Sequence, residues 1–575
     1  MNQIKWIAQY VKPYWLKEVI ALIFLILSSA LQIINPIIIG ILVNRMIQGD
    51  ATQHLMRYLF IMIAVTIARI ITRYIYQNVF EKVGQNVLYD LRNDLYQKIH
   101  ELDFNYFNHN RVGDLLARMT GDMDIIRHFV SWVAPSFLEN VLWFILAVIV
   151  MFQIDVWLTL MMLAVTPFIY ILTKKLSKES YPLFFDIRES FAKLNSTVEE
   201  NIGGNRVVKA FAREDFEIEK FNDVNEAYMN KNLESVDVSA KYLPGLEFLS
   251  GFLSVLTLVF GGIFTIQGNM TIGSLVTFSN YLWMLNNPLR NSGWIVSDTQ
   301  RFFASCVKIR QLLDEKVDIE STAIDTHEKI KGDVTFDHVS FAFPDNPDNL
   351  ILEDISFSVK QGAVVGILGQ TGSGKSTLVS LLARFYDATE GVIYLGGKPI
   401  QDWSVRQLRE NISIVMQEPF LFSNTIIENI GFGLGDYKQD YVKQVAQVAD
   451  AHQFIERMPD GYNTLVGERG VGLSGGQKQR ISLARSLVMQ PSILILDDTT
   501  SAVDMETEHK IQTGLKDIIK DSTTFTIAHR ISSVKDADLI LVLDDGKIIE
   551  RGTHEELIAK EGQYYETYQK QVGHQ

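Results

Sequence analysis

Six stretches of this 575-residue chain are long and apolar enough to cross a lipid bilayer, and a chain that crosses a bilayer has few folds open to it. With no water in the hydrocarbon, each peptide N–H and C=O must be bonded within its own segment or around a closed barrel, so runs of ~20 apolar residues fold as helices. The runs cover residues 19–43, 58–76, 131–153, 156–172, 243–267 and 272–289. Their connections alternate in length: 44–57, 154–155 and 268–271 are short, whereas 77–130 and 173–242 are long. The long ones carry Arg92, Lys98, Arg111, Arg118, Lys174, Lys175, Lys178, Arg206, Lys209 and Arg213. That bias places them, and with them both termini, on the cytoplasmic side. Amphipathic patterns over 85–102 and 180–201 predict that the membrane helices continue into the cytoplasm. Residues 1–17 set Trp6, Tyr10, Tyr14 and Trp15 among Lys5, Lys12 and Lys17, which predicts an interfacial helix rather than a removed signal.

Polar residues within the spans have two readings, cavity lining or interhelical pairing, and both stay open for Arg69 and Arg73 on one helical face and for Glu139, Asn140 and Glu247. Tyr281, Trp283 and Trp294 read first as packing residues.

Composition narrows the classes. Acidic residues outnumber basic ones, 67 to 53, so the net charge of -14 offers nucleic acid no general electrostatic footprint. The single cysteine, Cys306, can form neither an intrachain disulfide nor a thiolate zinc site. A hydrophobic share of 47% is high for a soluble chain and low for one immersed throughout, which fits a membrane part joined to a soluble part.

The pattern changes after a charged, polar linker at 316–330, leaving 18–315 as a transmembrane domain and 331–575 as a soluble α/β domain. There the apolar strand 364–368 runs into Gly369, Gln370, Thr371, Gly372, Ser373, Gly374, Lys375, Ser376 and Thr377, ahead of a helical pattern over 378–385. Gly-x4-Gly-Lys-Ser between a strand and a helix is a phosphate loop: backbone N–H groups and a helix N-terminus meet the phosphates, Lys375 reaches their outer oxygens, and Ser376 serves Mg2+. ATP and Mg2+ are the expected ligands. A second apolar strand, 493–496, ends in Asp497, an acid suited to the metal side of that site. Leu473, Ser474, Gly475, Gly476 and Gln477 precede a helix expected to begin near Lys478.

Through these motifs the whole chain resembles the ATP-binding cassette superfamily, with a six-helix exporter transmembrane domain before the P-loop cassette. The resemblance makes Leu473–Gln477 the signature, Gln417 the Q-loop residue and a metal-side ligand, Ser501, Ala502, Val503 and Asp504 the D-loop, and His529 the switch histidine. Phe343 stands where the family usually stacks a tyrosine on adenine. Residues 464–470 resemble the segment that meets the intracellular loops, and 108–113 and 209–217 resemble the coupling helices. In the family two cassettes close head to tail, so a second half-transporter is implied as partner, together with a small amphipathic substrate and the lipid bilayer. One departure stands out: the position after Asp497, usually a water-orienting glutamate, is Asp498. That resembles the slow-site subunit of bacterial heterodimeric multidrug exporters, located in the cell membrane. A peptide or lipid exporter, and an ATP-gated regulator or channel, are the alternatives.

Overall fold

The computed structural model describes residues 3–49, 51–319, 325, 329–498, 510–511, 513–515 and 520–572, with 51–54 and 572 as backbone alone. The chain divides into two compact units, one of residues 1–101 and 110–315, the other of 102–109 and 316–575.

The first unit is helical. Helix α1 (Gln3–Val11) leads through a turn to α2 (Trp15–Ile47), then α3 (Ala51–Glu101). The short helix α4 (Phe104–His109) belongs to the second unit. The path then continues through α5 (Val112–Ala117), α6 (Met123–His128) and α7 (Ala134–Ile154) to the long helices α8 (Val156–Ala210), α9 (Glu214–Ile266) and α10 (Ile272–Leu313). Four of the expected spans lie inside one helix, 131–153 begins in the π-helical turn ahead of α7, and 243–267 ends one residue past α9; α3, α8 and α9 run well past their apolar parts. Two π-helical turns, Arg118–Asp122 and Phe129–Val133, interrupt the approach to α7.

Five helical stretches among the described residues are long and apolar enough to cross a membrane; α10 is not among them. Its apolar run is interrupted by Asn280, Asn286, Asn287 and Pro288. Phe278, Tyr281, Met284 and Leu285 of α10 are buried against Met162, Leu246 and Leu253, and the Tyr281 hydroxyl donates to Ile33 O at 2.6 Å. A helix partly shielded by protein can carry the half-buried Asn286, Asn287 and Asn291, whereas outer faces such as Ile23 and Ile63 stay apolar and exposed, as lipid requires. Gly40 and Gly273 bring α2 and α10 together backbone to backbone, and Asn44 Oδ1 accepts from Gly273 N at 2.8 Å.

The second unit is α/β. Strands β1 (Val334–Ala342), β2 (Leu350–Val359), β4 (Glu390–Leu395) and β5 (Lys398–Pro399) form an antiparallel sheet in the order β2-β1-β4-β5. The other sheet takes β3 (Val364–Gly369), β6 (Ile412–Val415), β7 (Ile493–Asp497), β8 (Thr523–Ile527), β9 (Leu539–Asp544) and β10 (Lys547–Gly552) in the order β10-β9-β3-β8-β7-β6. All its pairings are parallel except β10 on β9. Ile367, Ile495 and Leu541 are buried, which is why β3, β7 and β9 read as apolar runs, and Phe525 is buried between the threonines of β8. A separate helical core gathers Ile427, Val445, Ile455, Ile481 and Leu487 around the helix Gly475–Leu487.

Candidate nucleotide site

The central strand β3 ends at the phosphate loop and feeds the helix Lys375–Leu382. Gly372 and Gly374 take φ of 87° and 96°, backbone that glycine adopts without strain. Gly374 also has no room for a side chain: a Cβ there would lie 2.7 Å from Leu352 Cδ2 and 3.0 Å from Ile351 O. Gln370, Thr371 and Gly372 are exposed at the tip, Ser373 and Lys375 are buried, and Thr377 lies half-buried in the helix. The Lys375 ammonium is turned into the loop, donating to Gly369 O at 2.9 Å and Gln370 O at 2.6 Å.

Strand β7 lies one place beyond β8 from β3 and brings Asp497 to the same edge, where Ser376 Oγ donates to Asp497 Oδ2 at 3.2 Å. Burial pushes the Asp497 carboxyl up, against the lowering effect of Ser376, and the neighbouring Asp498 pushes it further; Lys375 and His529 oppose this. Burial likewise holds Lys375 below the ordinary lysine range, while both aspartates favour its charge. Lys375, Ser376, Asp497, Asp498 and His529 thus share one electrostatic neighbourhood. The Ser373 hydroxyl is buried there with no hydrogen-bond partner among the described residues. Exposed loop amides, a lysine and an acid–hydroxyl pair fit a nucleotide's phosphates and a hard cation, with Ser376 and Asp497 as the protein oxygens able to hold the metal.

Asp498 is set by its backbone. It sits at φ 47°, and its N–H donates to Ile527 O at 3.0 Å, tying the residue to the end of β8. His529 is exposed two residues beyond that strand, and its carbonyl accepts from Gln571 Nε2 at 2.9 Å. No signal in the sequence pointed to Gln571.

The other expected residues stand elsewhere in the unit. Gln417, exposed just past β6, lines a cavity of ≈ 560 Å³ with Glu418, Phe420, Arg469, Gly475 and Lys478. The signature helix starts at Gly475, earlier than expected, because Ser474 and Gln477 form a reciprocal cap: Gln477 N donates to Ser474 Oγ at 3.3 Å and Ser474 N to Gln477 Oε1 at 2.9 Å. Ser474 and Gly475 are exposed, with Leu473, Gly476 and Gln477 half-buried beside them. Phe343 packs edge-on against Phe341 and Tyr386, with centroids 5.1 and 5.3 Å away. Ser501, Ala502, Val503 and Asp504 lie outside the described residues.

Helix α4 overlaps the start of the 108–113 segment, but its packing partners carried no signal in the sequence. Phe104 lies on Phe385 with centroids 4.3 Å apart, Asn108 Nδ2 donates to the Tyr386 hydroxyl at 2.7 Å, and His109 Nε2 lies 3.3 Å from Asp345. His109 Nδ1 also faces Asn105 O at 2.8 Å, so first that carbonyl and then Asp345 hold the imidazole above its usual pKa. A raised folded-state pKa gives stabilisation that is complete below the unfolded value and lost as pH rises through the folded one. Amide exchange over 102–109 is therefore expected to quicken as pH climbs above the ordinary histidine range, after correction for intrinsic exchange, and His109→Gln is expected to remove that pH dependence.

A bundle of membrane-length helices and a phosphate-loop cassette in one chain define a membrane transporter driven by ATP. Residues 19–289 match the ABC transporter transmembrane region, and residues 352–501 match the ABC transporter cassette. An uncharacterized ABC transporter ATP-binding protein of Bacillus subtilis, YknU, is 40% identical over 99% of this chain and 98% of its own length. A putative multidrug export ATP-binding/permease protein of the same organism, YgaD, is 34% identical over 98% of each. The solved structure of a bacterial Atm1-family ABC exporter with ATP bound superposes with a TM-score of 0.82 at 27% identity, covering 96% of this chain and 98% of that one. The chain belongs to the ABC transporter family, as an exporter half-transporter with ATPase-coupled transport.

Proposed function

We propose that this chain is the slow-site half of a heterodimeric bacterial exporter in the cell membrane, moving amphipathic drugs or lipid-like compounds outward by alternating access, with cassette and termini cytoplasmic. The observation that carries the reading is Asp498, standing directly after Asp497 at the end of β7. In this reading the loop from Gly369 to Thr377 binds ATP, Phe343 stacks on adenine, and Ser376, Asp497 and Gln417 hold Mg2+, which offsets phosphate charge. Gln417 and His529 complete the catalytic surroundings of Asp498. A carboxylate one methylene short falls ~1.5 Å behind the water it should orient, and errors near 1 Å cost on the order of 100-fold in rate. The bonded N–H of Asp498 supports the reading, because it limits how far the backbone can advance to close that gap.

The intact signature, Leu473 to Gln477, with the D-loop at Ser501 to Asp504, would complete the fast site built on the second half. Ser474 is capped, exposed and at a helix N-terminus, which suits a γ phosphate presented by another chain. The multidrug names of relatives such as YgaD and a putative multidrug export protein of Staphylococcus aureus, 36% identical, support the cargo class. The test is to purify the chain alone and with its second half: alone it should retain ATP and hydrolyse it slowly, and the pair should turn over briskly. Brisk hydrolysis and transport by the chain alone would overturn the division of labour.

A further inference from the structure

His529 stands on backbone that neither sheet holds. Strand β8 ends at Ile527 and the next helical turn, Ile531–Ser533, opens at Ile531, so His529 and Arg530 lie exposed between them. A side chain that meets a reacting phosphate works only within ~0.5 Å of its productive position, so something has to fix this backbone. Gln571 does so from two sides. Its Nε2 donates to His529 O at 2.9 Å, and its Oε1 accepts from Ile531 N at 2.9 Å. One amide thus supplies the donor and the acceptor that a neighbouring strand would have offered, and it meets the first N–H of the turn, which has no partner within that turn. The two bonds also fix which way the amide faces, because turning it over would set nitrogen against N–H and oxygen against carbonyl. Among the described residues, no other side chain is bonded to the His529 backbone.

The helix that carries Gln571, Gln563–Val572, is itself anchored at its other end. Gln563 N and Tyr564 N both donate to the Glu550 carboxylate on β10, and the Tyr564 hydroxyl meets His554 Nδ1 at 2.6 Å. Tyr564 shares a buried core with Ala528, Ile531 and Leu557. Ala528 and Ile531 flank the exposed pair, so apolar packing pins the loop on either side while Gln571 holds it at His529 itself.

We propose that Gln571 is a positioning residue for ATP hydrolysis: by clamping the His529 carbonyl and the Ile531 amide, it sets where the His529 imidazole meets the γ phosphate. The helix Gln563–Val572 then acts as a strut between the anchor at Glu550 and the phosphate-sensing loop. The proposal goes beyond the functional reading above and rests on it only for the role of His529; it holds whether the site beside Asp498 is slow or fast. Both bonds of Gln571 go to the histidine loop and neither to the loop Gly369 to Thr377, so ATP affinity is expected to be independent of it.

The test assembles the full chain with its second half in nanodiscs, the second half's catalytic glutamate changed to Gln so that only this chain's site counts, and measures single-turnover hydrolysis against ATP concentration. Gln571→Met, which keeps length and helix propensity but neither bond, is expected to lower the maximal rate about tenfold and to leave half-saturating ATP within about twofold, as a displacement of somewhat under ~1 Å would. A rise in half-saturating ATP in step with the fall in rate overturns the proposal. The His529→Ala background separates positioning from a purely structural role. There Gln571→Met is expected to slow the residual rate no further, because the group it positions is gone; an equal tenfold loss in that background means that the glutamine acts through the fold, and overturns the proposal. Gln571→Glu keeps the acceptor for Ile531 N but sets a carboxylate against the His529 carbonyl, so it should be as slow as Gln571→Met. Full activity of that variant would make the bond to His529 O dispensable and overturn the proposal too. If His529→Ala alone leaves the rate unchanged, the role given to His529 falls and this proposal with it, whereas a parental rate in Gln571→Met beside a slow His529→Ala sinks this proposal alone.

Discussion

Asp498→Glu is expected to raise hydrolysis at this chain's own site by about 10- to 100-fold, measured in the reconstituted pair with the second half's catalytic glutamate changed to Gln so that only one site counts. The added methylene carries the carboxylate forward by ~1.5 Å, from a backbone whose N–H is already held 3.0 Å from Ile527 O. Two other parts of the site already stand together: Ser376 meets Asp497 at 3.2 Å, and Lys375 is buried in the loop. One opposing effect has to be weighed. Asp498 sits at φ 47°, a region that aspartate tolerates better than longer side chains, so the variant carries a strain on the order of 1 kcal/mol. A 100-fold rate gain corresponds to nearly three times that. If the variant folds, binds ATP and still hydrolyses at the parental rate, the slow-site account is wrong.

Much of this architecture was legible because its determinants are local. A spanning helix is written as a run of apolar residues, and a phosphate loop as glycines and a lysine between strand and helix. The limits were legible less well, for physical reasons. Helix α10 carries half-buried asparagines at 286, 287 and 291, and its packing against Met162 and Leu246 shelters a helix of that composition. The signature helix began early because a cap made by Ser474 and Gln477 extends it past two glycines of low helix propensity. Helix α4 drew notice only as part of a loop, since its partners Asp345, Phe385 and Tyr386 lie more than 230 residues away in sequence. Gln571, which holds the His529 carbonyl, belongs to the same class: a glutamine in a polar helix carries no periodic signal. Local chemistry was readable, and long-range pairing was not.

Arg485→Met is expected to lower the unfolding temperature of the cassette by about 10 °C, from a loss of roughly 3 kcal/mol. The Arg485 guanidinium extends from the signature helix to the segment that follows Gln417. It donates to Asn429 O at 2.7 Å, Asn429 Oδ1 at 2.8 Å and Phe420 O at 2.8 Å. Phe422 and Phe432, stacked with centroids 4.5 Å apart, lie within 5.8 Å of the charge. Burial pushes the pKa of Arg485 down to about 10, still high enough to keep it charged at neutral pH. Methionine would fill part of the volume while leaving three acceptors short of a donor. Asn429 would feel this most, because its amide nitrogen also donates to Phe422 O, Asn424 O and Thr425 O. Arg485→Lys separates charge from geometry: it restores a cation without the planar fork, so it should recover less than half of the lost stability. If lysine restores the wild-type unfolding temperature, the three-way clamp is unnecessary. If methionine leaves that temperature unchanged, the signature helix is not tied to the segment after Gln417 through this residue.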